Sequence, residues 1–228
     1  MFRYVSLATF GLLVSVSALM AQTPNPVPAP TPAAAESSDQ EKMEDPQVGD
    51  HWTYDFRDDV SGDVKATLTN TVTDVSASQI NVQLAKLGAG STGYQTYDHS
   101  WNLIDNGNWR NRPNDGTGIQ LPLAVGKNWS FKSTDLNNTA GASWKRTGTS
   151  KVVAQESVTT PAGTFDTFKI ETSYQVQSTK DPTRKIQTVQ QTWYAPSIDH
   201  WVKRSSVSRS ATRVIAKSTL ELVEYGRR

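Results

Sequence analysis

Between Thr167 and Gln177 the chain alternates almost without error. Phe168, Ile170, Thr172, Tyr174 and Val176 fall on one side, and Thr167, Lys169, Glu171, Ser173, Gln175 and Gln177 on the other. A period of two with one apolar side is the pattern of a half-buried antiparallel strand. Pro161-Ala162-Gly163 before it has turn chemistry, since proline fixes φ and glycine tolerates positive φ. The polar segment Ser178–Thr183 returns the chain into a second strand ending at Trp193-Tyr194, which Ala195-Pro196 stops. His200-Trp201-Val202 starts a third. The result is a three-strand meander, with the remaining strands expected to be laid around it.

The same period recurs along the chain. Val64–Val75 places Val64, Ala66, Leu68 and Val72 opposite a row of threonines and Lys65, and Gln79–Leu87 alternates Ile80, Val82 and Leu84 with polar residues. Tyr94–Ile104 reads as one strand with Tyr97, His99, Trp101 and Leu103 on one face. Asn106-Gly107 is a strong hairpin signal, and Asn111–Gly118 is a loop. Ser143–Thr149 and Lys151–Ser157 read as two strands, and Val214–Tyr225 as the last. No ten-residue stretch of this region has a helical period. The expected fold is all-β, with about ten antiparallel strands in a β-sandwich or an open half-barrel. Val48-Gly49-Asp50-His51-Trp52-Thr53-Tyr54 also returns as Val125-Gly126-Lys127-Asn128-Trp129-Ser130-Phe131. A repeated turn-strand of this kind implies two similar lobes or one pseudo-symmetric sheet, with Trp52 and Trp129 in the core.

The turn-strand PAGTFxTFKI (Pro161–Ile170), followed by WYAPxxxxWVK (Trp193–Lys203), resembles the TapB-like group of exported bacterial β-rich proteins of unknown function. The resemblance extends over roughly Val48–Tyr225 and is concentrated in these two motifs. Where that family has a glycine-rich turn after WYAP, this chain has Ser197-Ile198-Asp199-His200. The resemblance implies an extracytoplasmic all-β domain and assigns no catalytic residue.

Residues 1–21 read as a secretory signal peptide: Arg3, an apolar run from Val5 to Met20, then small residues, with cleavage after Ala18 or Ala21. The run is short and is interrupted by Ser6, Thr9, Ser15 and Ser17, so no transmembrane segment is expected in the mature chain. Residues 22–46 are rich in proline and alanine, then charged, the composition of an extended linker. Residues 47–226 are left as a single β domain. It contains no cysteine, so a domain in an oxidising compartment depends on its core alone. The expected location is periplasmic or secreted.

Specific chemistry is sparse. Gly88–Gly93 matches G-x-G-x-x-G, but a strand follows it where a dinucleotide site needs a helix. Asp50-His51, Asp98-His99 and Asp199-His200 look like dyads, yet strand neighbours project to opposite faces. They read as polar positions at strand starts and edges. No catalytic residue, metal site or cofactor site is assigned. The first half of the chain is acidic and the second basic, and Lys203, Arg204, Arg209, Arg213 and Lys217 follow one another without an intervening acid. Net charge is only +1, and edge strands often carry bases to discourage pairing, so this run reads as a solvated face without nucleic-acid binding. The functional expectation is a non-catalytic exported binding or envelope-assembly domain. Its ligand, an envelope lipid, glycan or peptide, would contact an aromatic-rich sheet face through Tyr97, Trp101, Trp193, Tyr194 and Trp201. The alternatives are a structural protein acting through sheet edges and a hydrolase with a dispersed Asp/Glu/His site.

Overall fold

The computed structural model describes residues 45–89 and 92–227. The signal-peptide and linker expectations lie outside the described residues, except for Asp45 and Pro46. The described residues form twelve antiparallel strands: β1 His51–Asp58, β2 Val64–Val75, β3 Ile80–Lys86, β4 Thr92–Tyr97, β5 Leu103–Asp105 and β6 Trp109–Arg112 in the first half of the chain. The second half adds β7 Asn128–Asn137, β8 Ser143–Thr160, β9 Gly163–Ser178, β10 Lys185–Ala195, β11 His200–Ser210 and β12 Arg213–Gly226. Each strand pairs with the next, and β12 returns to pair with β1, closing a barrel. No helix among the described residues is long and apolar enough to cross a membrane.

The all-β expectation holds, but the sandwich or open half-barrel of ten strands does not. Closure needs curvature, and the chain supplies it as bulges, each adding a residue to one strand and increasing local twist. Among them are those between Thr53 and Tyr54, Val72 and Asp74, Val152 and Ala154, and Trp193 and Tyr194. The bulge after Val152 resets the alternation, so the two strands read at Ser143–Thr149 and Lys151–Ser157 are the single long β8. Tyr94–Ile104 errs in the opposite direction. The Asp98 carboxylate accepts the amides of Ser100 (2.9 Å) and Asn102 (3.0 Å), and Trp101 takes φ 56°. That turn separates β4 from β5.

The repeated VGxxW segments make matching backbone contacts in the barrel. Gly49 and Gly126 have φ of 97° and 93°, values at which a side chain would be strained. The Gly49 amide donates to the Val72 carbonyl and the Gly126 amide to that of Val152, both at 2.9 Å. Val72 and Val152 each donate back, to Asp50 (2.8 Å) and Lys127 (2.9 Å). Both valines are buried and both precede a bulge. Trp52 and Trp129 are buried in two separate clusters, one per repeat.

The loop after β6 is not a surface connection. Asp115, Gly116, Thr117, Gly118 and Ile119 are all buried. Asp115 accepts the Leu103 amide (2.9 Å) and the Thr117 hydroxyl (2.6 Å), and Asn102 accepts the Gly118 amide (2.7 Å). A Cβ at Gly116 would overlap the Phe131 ring, and one at Gly118 the Ser100 carbonyl oxygen. The two glycines thus let the loop pack into the lumen.

Candidate ligand site in the barrel lumen

Inward-facing positions show a gradient along the barrel axis. At the end where β1 begins and β12 finishes, Trp52, Tyr54, Val72, Val202 and Leu222 are fully buried. Moving toward the tips of the β1–β2 and β11–β12 hairpins, the same faces carry Phe56, Leu68, Asn70, Arg204, Ser206, Ser218 and Leu220, all partly accessible. This half of the lumen is closed at its floor and loosely filled above it. A cavity of about 220 Å³ lies there, lined by Tyr54, Leu68, Asn70, Leu84, Gln95, Tyr97, Trp101, Asp115, Trp201, Arg204 and Leu220 among others. A second space of about 280 Å³ lies between β6 and β10, walled by Trp109, Trp144, Tyr174 and the Arg146–Asp135 pair. Both are at or below the lower end of small-ligand sites.

The floor is an aromatic cage around His200. Trp52 stacks on the imidazole at 4.3 Å and 20°, and Trp101 meets it edge-on at 4.6 Å. The Tyr54 hydroxyl donates to the Trp201 carbonyl (2.8 Å), so the 2.6 Å contact with His200 is a bond in which Nδ1–H donates to the phenol oxygen. His200 therefore starts its strand, as read from the sequence, but is buried inside the barrel. The left-handed Asp199 (φ 48°) turns the chain inward just before it, in place of the glycine of the TapB-like pattern. Burial, and after it the Arg204 charge, holds His200 well below the ordinary histidine range.

This shift predicts a pH dependence. Above about pH 6.5 both folded and unfolded chains hold a neutral imidazole, and His200 contributes no slope. Below it the unfolded chain takes up a proton that the folded chain refuses, so stability falls as pH falls, by up to about 1.4 kcal/mol per unit. Two groups act against this. His51, raised chiefly by its hydrogen bond to Glu224, stabilises the fold below the same pH, though it is partly exposed. Asp199, raised by burial, recovers its cost as pH falls through its folded value. The difference between wild type and His200→Asn, which keeps a donor for Tyr54, isolates the effect. Urea titrations at pH 7 and 5 are expected to show the larger loss in wild type. Equal losses would place the proton elsewhere.

The two arginines of the lumen differ in their partners. Arg146 makes two bonds to Asp135 Oδ2, at 2.9 and 2.7 Å, and lies 4.7 Å over the Tyr174 ring. Arg204 sits 3.7 Å over the Trp201 ring, donates from Nε to Thr192 Oγ1 (3.2 Å), and forms no ion pair among the described residues. Its Nη2 is buried without a protein partner, as are Asn70 Oδ1 and Trp201 Nε1 in the same cavity wall. Asp115 is the carboxylate of this wall, and three donors from Leu103 and Thr117 already engage it.

Of the five aromatic residues expected on a ligand-binding face, three converge here. Tyr97 and Trp101 are 5.6 Å apart and Trp101 and Trp201 6.3 Å, all buried and facing the lumen. Tyr194 belongs to the other core cluster and donates to Asp199 Oδ1 (2.6 Å). Trp193 stands on the outer face, where its indole donates to Glu156 (2.6 Å) and Lys169 lies 4.8 Å over the ring. The group missed from sequence is Arg204, hidden in a run of bases read as a solvated face. Its parity with Val202, two residues earlier, is the signal that marks it as inward.

Residues 118–212 match the DUF3108-like family model. That segment contains both motifs that carry the TapB-like resemblance, together with Arg204 and the floor residues His200 and Trp201. No curated protein matches the chain. Among solved structures, a candidate lipoprotein from Parabacteroides distasonis is similar with a TM-score of 0.54 at 16% identity, covering 79% of this chain and 96% of its own. A candidate exported protein with a YmcC-like fold from Bacteroides fragilis reaches 0.50 at 15%, covering 81% and 99%. At such identity the likeness is one of fold.

Proposed function

We propose that this is an exported, non-catalytic binding domain that holds a small ligand inside the barrel, between the aromatic floor and the hairpin-tip end. The observation that carries this reading is the convergence of Tyr97, Trp101, Trp201 and Arg204 on one incompletely filled cavity. Aromatic rings give a ligand large contact area at low entropic cost, and a barrel lumen is a recurrent place for such sites. The amino-terminal signal features, together with neighbours named as a lipoprotein and as an exported protein, support an extracytoplasmic setting. The reading through sheet edges loses its basis, because β12 pairs with β1 and closure removes the edges.

Tryptophan fluorescence, titrated with envelope lipids, peptidoglycan fragments and peptides, tests this reading. Leu220→Trp is designed to fill the cavity, and Trp193→Phe to change an aromatic ring that does not line it. A response is expected in wild type and Trp193→Phe and its loss in Leu220→Trp. The reverse pattern would move binding to the outer face, and silence throughout would end the lumen reading.

A further inference from the structure

We propose that the lumen recognises a small anionic amphiphile, its carboxylate or phosphate group seated on Arg204 and its short apolar part lying against Leu68, Leu84 and Leu220. The inference rests on the lumen reading and specifies the ligand class for it.

The first argument is the state of Arg204. A guanidinium withdrawn from water into a protein wall is costly unless it is paired, and structural arginines are paired accordingly. Arg146, in the same barrel, is paired through Nε and Nη2 with the Asp135 carboxylate. Arg204 has one long bond to a threonine hydroxyl, a tryptophan face, and a buried Nη2 without a protein partner. Stacking on Trp201 fixes the plane of the fork, and a fixed fork matches carboxylate and phosphate oxygens. Asp115 does not fill the role, since Leu103 and Thr117 occupy its oxygens and no ion pair joins it to Arg204.

The second argument is the company Arg204 keeps. Trp201 Nε1 is a further donor without a protein partner in the same wall, and the Asn70 amide has an unsatisfied Oδ1 there. Turning that amide over would present its NH₂ instead. Two donors and one reversible amide suit an oxyanion better than a cation or a neutral hydrocarbon. Around them the wall is leucine, tyrosine and tryptophan, so a bare inorganic anion would leave most of the surface uncontacted. The volume of about 220 Å³ limits the apolar part to a short chain or a single ring system.

The test is calorimetric titration of the purified protein with octanoate, octyl phosphate and 1-octanol, in wild type, Arg204→Met and Arg204→Lys. Wild type is expected to bind one anion with one-to-one stoichiometry, roughly ten- to hundredfold more tightly than 1-octanol, the worth of a charge-assisted hydrogen bond. Which of octanoate and octyl phosphate binds more tightly identifies the head group. Arg204→Met is expected to bring the anions down to the alcohol, and Arg204→Lys to fall between. The wild-type comparison needs no variant, so a destabilised Arg204→Met leaves the test intact. Equal binding of 1-octanol and both anions to wild type would overturn the ionic recognition while leaving the lumen site standing. If none of the three binds, the proposal is lost, and the fluorescence titration with envelope components then decides the lumen reading separately.

Discussion

Trp52→Ala is expected to remove roughly 3–5 kcal/mol of stability, the usual cost of emptying a buried aromatic site. Trp52 has no accessible surface, stacks on His200 at 4.3 Å and meets Trp101 edge-on at 5.5 Å. Its ring thus forms part of the floor on which the lumen cavity rests. The neighbours are held from several strands at once: His200 from β11, Trp101 from the turn after β4, Val72 from β2 and Leu222 from β12. Such a wall collapses poorly into a void, which places the loss toward the upper part of the range. Against a total stability of about 5–15 kcal/mol the change is large, and the melting temperature should fall by roughly 6–20 °C. Trp52→Phe separates packing from hydrogen bonding. The indole N–H of Trp52 has no protein partner, so the phenyl variant should retain most of the stability. Calorimetry on both variants checks this. An unchanged melting temperature for Trp52→Ala would show that the ring is not part of the core, and equal losses in both variants would show that the nitrogen matters more than the packing.

Strand type was legible in the sequence because it is local. The alternation of Phe168, Ile170 and Thr172 follows from the pleat alone, and all three are buried. The turn glycines of the VGxxW repeats were legible for the same reason. Closure was not. It depends on pairing Tyr54 with Leu222 and Phe56 with Leu220, a contact between the two ends of the domain that no local pattern encodes. Two further errors have physical causes. The Asp98 turn preserves an apparent alternation through His99, Trp101 and Leu103 while reversing the chain, so a bend passed for a strand. The bulge after Val152 shifts the inward face by one residue, so a continuous strand passed for two. The site was half legible: Tyr97, Trp101 and Trp201 were singled out as aromatic surface, whereas the structure turns them inward. Arg204 was obscured because a base among bases reads as solvated unless its strand parity is weighed against the charge.

Arg227→Met is expected to cost roughly 3–5 kcal/mol, because it breaks an ion pair whose acid has no access to water. Asp50 is 0% exposed, and its Oδ2 accepts the Gln47 amide (2.9 Å) and Arg227 Nε (3.2 Å). Arg227 also donates to the Asp45 carbonyl (3.2 Å), tying the end of β12 to the segment that enters β1. The pair therefore fastens the seam where the barrel closes. Its influence extends to Asp199, whose carboxyl is raised by burial and partly offset by the Tyr194 hydrogen bond and the Arg227 charge. Removing the guanidinium leaves two buried acids less well compensated. Replacing a whole buried pair by neutral groups costs far less than removing one member. Asp50→Asn in the Arg227→Met background keeps an oxygen for the Gln47 amide and should restore much of the loss. Urea denaturation of the two single variants and the double variant gives the coupling energy directly. A strongly non-additive cycle is expected, with the double variant more stable than Arg227→Met alone. Additive losses, or an Arg227→Met variant within about 0.5 kcal/mol of wild type, would show that the seam is held by β1–β12 pairing without help from this ion pair.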